Sequence, residues 1–303
     1  MEFKNIIGNT EVKENLNKSI RQNNILHSYL FLGKEGIGKL LVAKEFAKAI
    51  LCLNDEKNDS CTCKSCTCFN GGNNPDFYVI NEAGETIKIE EVRKIIAKIY
   101  EKPIVSNKKV YIINDCDKMT DEAQNCFLKT LEEPPEFITI IMISSNDNLI
   151  LNTIKSRCMT VKFKKIDDNI LKEFAINNLG YTDISSNLLK SFDGSIGKAA
   201  ILQENKALYD EIEKVISNFD KKDLIDIILD AKILYDKENI FNILDHITVC
   251  LFANAERNSR YVDCIKYVND CARKIRAYSN FDMSVDIMIF SIWEELNENS
   301  NRC

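Results

Sequence analysis

No stretch of eighteen apolar residues occurs in the chain, so no membrane-spanning helix is expected. The opening residues, MEFKNIIGNTEVKENLNKSI, lack the apolar core of a secretory leader, and a cytosolic chain is expected. An excess of basic residues is missing too. Forty Lys and Arg stand against 46 Asp and Glu, a formal net charge of −6, whereas a general nucleic-acid coat needs a large basic excess. Proline is scarce, four in 303 residues, and there is no internal repeat. What is present is the balance of a globular protein. At 45% hydrophobic and 28% charged, the chain is too apolar for disorder, and it is long enough for about two domains.

Cysteine, by contrast, is abundant. Twelve cysteines in a cytosolic chain do not suggest a disulfide framework. Five of them, Cys52, Cys61, Cys63, Cys66 and Cys68, fall within 17 residues, and the scattered remainder reads as small core residues. Cys63-x-x-Cys66 has the spacing of a metal knuckle, with Cys61 and Cys52 just upstream. Four thiolates around zinc make a closed, tetrahedral, structural site. A redox pair is the competing reading of a lone C-x-x-C. His27 and His246 are read as satisfied structural residues without a metal role.

Through residue 160 the pattern alternates between short apolar runs and amphipathic stretches. Residues 28–32 (SYLFL), 77–80 (FYVI), 110–113 (VYII) and 138–144 (ITIIMIS) predict strands. Helices are predicted from Lys39 to about Leu53, and from a Thr86 cap to about Tyr100 with Val92, Ile95, Ile96 and Ile99 on one face. A further helix runs from Asp121 to Glu133, where Pro134-Pro135 stops it. Continuous apolar strands separated by helices predict a parallel sheet covered on both faces. Beyond residue 163 the strand signals cease. Lys164–Asp168 reads as a linker, 169–205 as short helices around Gly194 and Gly197, and 206–297 as helical throughout, with Ile225, Ile228, Leu229 and Ile233 at helical spacing.

Between the first strand and the first predicted helix lies Gly33-Lys-Glu-Gly36-Ile-Gly38-Lys39-Leu40. It follows the phosphate-binding pattern G-x-x-x-x-G-K-[S/T] up to its last position. Glycines let the backbone wrap a phosphate with its N–H groups inward, Lys39 would reach the β- and γ-phosphates, and the following helix adds its dipole. Leu40, however, stands where a hydroxyl normally binds Mg²⁺. A second departure ends the run Val110-Tyr-Ile-Ile-Asn-Asp-Cys-Asp117. Asn114 occupies the magnesium-linked carboxylate position, and Asp115 that of the water-activating glutamate, one methylene short. Both losses fall on hydrolysis rather than on cradling a phosphate.

Glu122–Pro135 (EAQNCFLKTLEEPP) resembles the signature helix of the bacterial DNA polymerase III clamp-loader AAA+ subunits. So do His27-Ser-Tyr-Leu-Phe, Pro75-Asp76 and Ser156-Arg157-Cys158. The likeness covers residues 5 to about 200, and beyond 206 it rests on helical character and length. It implies an α/β AAA+ nucleotide-binding core over 1–163, a parallel sheet covered by helices, with a zinc-knuckle insertion at about 52–68. A small helical lid over 164–205 and an all-α collar bundle over 206–303 would follow. The family usually spaces its second and third zinc ligands as C-x-x-C, whereas Cys61-x-Cys63 is one residue shorter. The assignment is Cys52, Cys61, Cys63 and Cys66, with an exchange of Cys61 for Cys68 as the alternative. In the family, the arginine matching Arg157 projects into a neighbour's nucleotide site and stabilises the transferring phosphate; such fingers contribute roughly 10³–10⁵ in rate. The same arginine could instead tie a strand end to the lid. Asn146 matches the residue that senses the γ-phosphate, or it caps the next turn. Gly194-Ser-Ile-Gly-Lys-Ala199 resembles the lid motif that sets an arginine on the nucleotide, with Gly197 at that position and Lys198 beside it.

With Leu40, Asn114, Asp115 and Gly197 weakened together, the resemblance implies a subunit that does not hydrolyse ATP and has no Mg²⁺ site in its own pocket. Structural zinc is its expected cofactor. Its implied partners are motor (gamma/tau) subunits and a clamp-opening delta subunit in a hetero-pentameric ring. Through that complex it would reach the sliding clamp and primer–template DNA during replication at the bacterial nucleoid. An ATP-hydrolysing motor subunit is the alternative within the family. A zinc-dependent nucleic-acid binder is the alternative from another class, but Ser60–Phe69 offers it only Lys64 as a base and Phe69 as a stacking ring.

Overall fold

Short apolar runs become strands here because helices cover them on both sides. The computed structural model describes residues 3, 6–54, 57, 60–81 and 85–297. It divides into two compact units, Met1–Ile170 and Leu171–Cys303. In the first unit α1 (Thr10–Arg21), α2 (Lys39–Leu51), α3 (Lys64–Asn70), α4 (Ile89–Ile99), α5 (Asp121–Glu132) and α6 (Asn152–Lys155) are interspersed with five strands. These are β1 (Ser28–Leu32), β2 (Phe77–Ile80), β3 (Lys109–Ile113), β4 (Ile138–Ser144) and β5 (Met159–Lys162), in the order β2-β3-β4-β1-β5. Every pairing is parallel, with Leu30 opposite Met142 and Tyr111 opposite Ile140.

Successive side chains of a strand point to opposite faces. Tyr29 and Phe31 of β1, Val110 and Ile112 of β3, and Ile141 and Ile143 of β4 join one apolar cluster with Leu16 and Ile20 of α1 and Val42 and Phe46 of α2. Leu30, Tyr111, Ile113, Ile140 and Met142 join the other, with Val92 and Ile99 of α4 and Ala123, Phe127 and Leu131 of α5. Burying each of the Val, Leu, Ile, Phe and Met side chains among these is worth about 1.5–3 kcal/mol. Two covered faces explain why these strands read as unbroken apolar runs.

The edge strand β5 carries no such signal. Its residues Met-Thr-Val-Lys are half-buried or exposed, and pairing with β1, Tyr29 opposite Met159, makes it a strand. The sequence reading also passed over α1, although Val12, Leu16 and Ile20 recur every fourth residue. Its start is pinned by Asn9, whose amide donates to the Lys164 carbonyl (3.1 Å) while its Oδ1 accepts from the Lys164 N–H (2.7 Å).

Thr86 does not cap α4. Ile87 is held in an extended bridge, its N–H donating to the Lys118 carbonyl (3.0 Å) and its carbonyl accepting from the Thr120 N–H (3.2 Å). The helix therefore starts only at Ile89, behind an extended Lys88 without a side-chain cap. Thr120 does cap α5, accepting from the Ala123 N–H at 3.3 Å.

From Asp168 the described chain is helical: α7 (Asp168–Asn178), α8 (Ser186–Phe192), α9 (Ile196–Glu204), α10 (Lys206–Ser217), α11 (Leu224–Asp230), α12 (Ile240–Asn254), α13 (Arg260–Asp263), α14 (Ile265–Arg276) and α15 (Phe281–Asn297). The core of the second unit includes Leu188, Phe192, Tyr209, Ile212, Ile243, Ile247, Tyr261 and Ile289. Gly194 supplies the left-handed turn between α8 and α9, at φ 73°, whereas Gly197 lies inside α9. In α11 the apolar spacing does make a helix, but Ile225, Ile228 and Leu229 point outward and only Ile227 is buried. None of the described helices is long and apolar enough to cross a membrane.

Candidate functional site

The glycine loop leaves the C-terminal end of β1 and enters α2, the crevice where open α/β sheets bind ligands. Gly36 and Gly38 take left-handed φ values of 73° and 91°, which cost glycine little. At Gly33 an added Cβ would sit 2.8 Å from the Phe163 carbonyl oxygen, so the loop closes tightly on the exit of β5. Lys39 is buried and folded back on the loop, its Nζ donating to the carbonyls of Gly33 and Lys34 at 2.6 Å each. Burial pulls its pKa down, and the nearby carboxylates of Asp115, Asp117 and Glu35 oppose that shift. The ammonium thus stands at the helix N-terminus where an anion would be received.

Leu40 turns its side chain into the apolar cluster of α1, α2 and the sheet. Asn114 is spent on structure. Its Nδ2 donates to the Asn81 carbonyl (3.4 Å) while Asn81 Nδ2 donates to the Asn114 carbonyl (3.3 Å), joining the ends of β2 and β3. Asp115 takes a left-handed φ of 48°, and its carboxylate pairs with Lys118 at 3.1 Å. Asn146 accepts from the Asn148 N–H (3.1 Å), capping the turn after β4. Lys198 lies in the second unit, tied to Asp245 at 2.5 Å.

Arg157 sits in the turn between α6 and β5, its side chain one-third exposed. Its Nε and Nη2 bind Glu132 Oε1 at 2.8 and 2.5 Å, and Nη1 donates to the Thr153 carbonyl at 2.8 Å. The guanidinium is therefore held between the end of α5 and α6.

The sulfurs of Cys52, Cys61, Cys63 and Cys66 all lie within 4.8 Å of one another, and Cys68 lies outside the group. Cys52 and Cys61 are 3.6 Å apart. A tetrahedral zinc with bonds of about 2.3 Å sets its sulfurs about 3.8 Å apart, so the four thiols fit that ion. Burial opposes ionisation of Cys63, but hydrogen bonds from the Cys66 and Leu53 N–H groups and from the Cys66 and Cys61 thiols overcome it and bring its pKa to about 6. Burial and the neighbouring Cys63 push Cys66 upward.

Two polar groups inside the sequence motifs, Asp76 and Gln124, are structural. Asp76 is fully buried and accepts from the N–H groups of Ile104, Val105 and Ser106 at 2.7 Å each. Ser106 in turn meets Ser65 of α3 at 2.7 Å and donates to the Leu51 carbonyl, while Asn74 donates to the Ser65 carbonyl. This network fastens the cysteine module to the end of α2. Gln124 is buried in α5, donating to the Leu149 carbonyl and accepting from the Leu151 N–H, both at 2.9 Å. A glutamine on the same helix face as Phe127 and Leu131 was the available signal.

Residues 8–167 match the family described as "DNA polymerase III, delta subunit". DNA polymerase III subunit delta′ of Bacillus subtilis (strain 168) is 31% identical over 208 residues, 68% of this chain and 62% of that one. DNA polymerase III subunit gamma/tau of Mycoplasma genitalium is 30% identical over 273 residues, 88% of this chain and 43% of that one. The chain thus spans less than two thirds of either relative. A DNA polymerase III gamma subunit-related protein from Thermotoga maritima superposes with a TM-score of 0.51 at 17% identity, over 93% of this chain and 99% of that one, a likeness of fold.

Proposed function

This chain belongs to the DNA polymerase III delta-subunit family, and on that premise we propose that it serves as the delta′ subunit of a clamp loader, a member that does not hydrolyse ATP and lends Arg157 to a motor neighbour. One contrast carries the reading. Leu40 is committed to the apolar core and Asn114 to Asn81, so neither is available to a magnesium ion, while Arg157 is partly exposed. The core over 1–163 would stay rigid, 164–205 would act as a degenerate lid, and 206–303 would pack into a shared collar. Exposed apolar side chains on α11 (Ile225, Ile228, Leu229) and α15 (Met283, Ile287, Phe290) support the collar, since large apolar patches mark interaction surfaces. Zinc in the cysteine module would be structural. In the cytoplasm, the assembled ring would grip the sliding clamp and primer–template DNA, which suits a chain whose own charge is −6.

Reconstitution with motor and delta subunits tests this. Arg157→Ala should lower clamp- and DNA-stimulated ATP turnover by about 10²-fold or more, and unchanged turnover would remove the arginine-finger reading. The gamma/tau relative, which matches 88% of this chain, favours a motor subunit as the second reading. Tight, magnesium-dependent ATP binding with turnover by the isolated chain would select it.

A further inference from the structure

His246 and Cys250 stand one turn apart on α12, so their side chains share a face. Glu213 of α10 meets that face. His246 Nε2 lies 3.7 Å from Glu213 Oε1 and 3.6 Å from Cys250 Sγ, and the three donor atoms lie within 4.8 Å of one another. Zinc bonds of about 2.0–2.3 Å at tetrahedral angles separate such donors by about 3.3–3.6 Å, close to these spacings.

Each of the three side chains is held in place by its neighbours. Ser191 Oγ donates to the Asn187 carbonyl (2.9 Å), so at 2.7 Å it presents a lone pair to His246 Nδ1. With the ring proton on Nδ1, the tautomer that ligation requires, Nε2 turns its lone pair toward Cys250 and Glu213. Glu213 Oε1 accepts from Ser185 Oγ at 2.5 Å. Ligating histidines and carboxylates are characteristically fixed by such outer hydrogen bonds. In the metal-free chain the same Nε2, when it carries the ring proton, donates to the Tyr209 carbonyl oxygen at 3.3 Å. A cleft of about 700 Å³, lined by Ser185, Asp210, Glu213 and Lys214 among others, opens the Glu213 side to solvent.

We propose that Glu213, His246 and Cys250 bind a divalent metal ion of the zinc class, a site separate from the cysteine module. The mixed oxygen, nitrogen and sulfur donors suit Zn²⁺ or Co²⁺ rather than Mg²⁺ or Ca²⁺. The ion ties α10 to α12, with water from the cleft completing its coordination.

The test loads the full-length chain with Zn²⁺, removes loosely held ion by gel filtration and counts metal per chain. The wild type should hold about one equivalent more than Glu213→Gln, which keeps the Ser185 hydrogen bond and the side-chain shape. His246→Gln and Cys250→Ala should lose the same equivalent, whereas Cys66→Ser should retain it. Co²⁺ loading of the wild type should add a d–d absorption that Glu213→Gln lacks. Equal metal content in wild type and Glu213→Gln, with matching Co²⁺ spectra, overturns the site. The comparison is a difference between chains, so it reads this site whether or not the cysteine module fills.

Discussion

Asp76 owes its role to residues 28–30 positions away in sequence. Three N–H groups of the 104–106 loop end on one buried carboxylate, so removing it takes the partner from all three, the buried Ser106 N–H among them. Asp76→Ala should cost about 3 kcal/mol or more, measured as a fall in the urea midpoint with an unchanged slope. Asp76→Asn should be intermediate, since the amide keeps only one acceptor oxygen. At this scale the sequence was legible where chemistry is local. Leu40 and Asn114 could be read as the loss of a hydroxyl and of a charge. What those residues do instead, packing into the core and pairing with Asn81, could not be read, because their partners lie in other elements.

Among the elements, α3 cannot stand alone. Seven residues are too few for an autonomous helix, and only Ser65 and Cys66 within it are buried. The four thiols on one side and the Ser65–Ser106–Asn74 bonds on the other hold it in place. Stripping metal with a strong chelator should therefore expose residues 52–74 to proteolysis while the helical circular dichroism of the rest persists. Mass spectrometry of the fragments checks this, and an unchanged cleavage pattern would count against a metal-held module. The core strands were legible because burial on both faces writes an unbroken apolar run. The edge strand β5 was not, because one covered side leaves no such run, and Thr86 misled because the bridge from Ile87 to Met119 overrides a local capping signal.

On the scale of the molecule, α11 and α15 carry outward apolar side chains that the proposed collar would cover. Ile225→Asp with Ile287→Asp should change the stability of the isolated chain by only about 0.5 kcal/mol per site, as exposed positions do. The same pair should abolish co-elution with the motor subunit in gel filtration, and retained co-elution would place the collar surface elsewhere. Sequence alone determined the parallel α/β architecture, the helical second half, the cysteine knuckle and the incomplete phosphate motif. Each of these is written in local periodicity or in the spacing of residues within a loop. Tertiary structure alone decided that Lys39 folds onto its own loop, that Glu132 holds Arg157, that the apolar positions of α11 face outward, and that Glu213 joins His246 and Cys250. Those arrangements bring a side chain to a partner fixed by other elements or leave its face uncovered, and spacing along a helix carries no record of what packs against it.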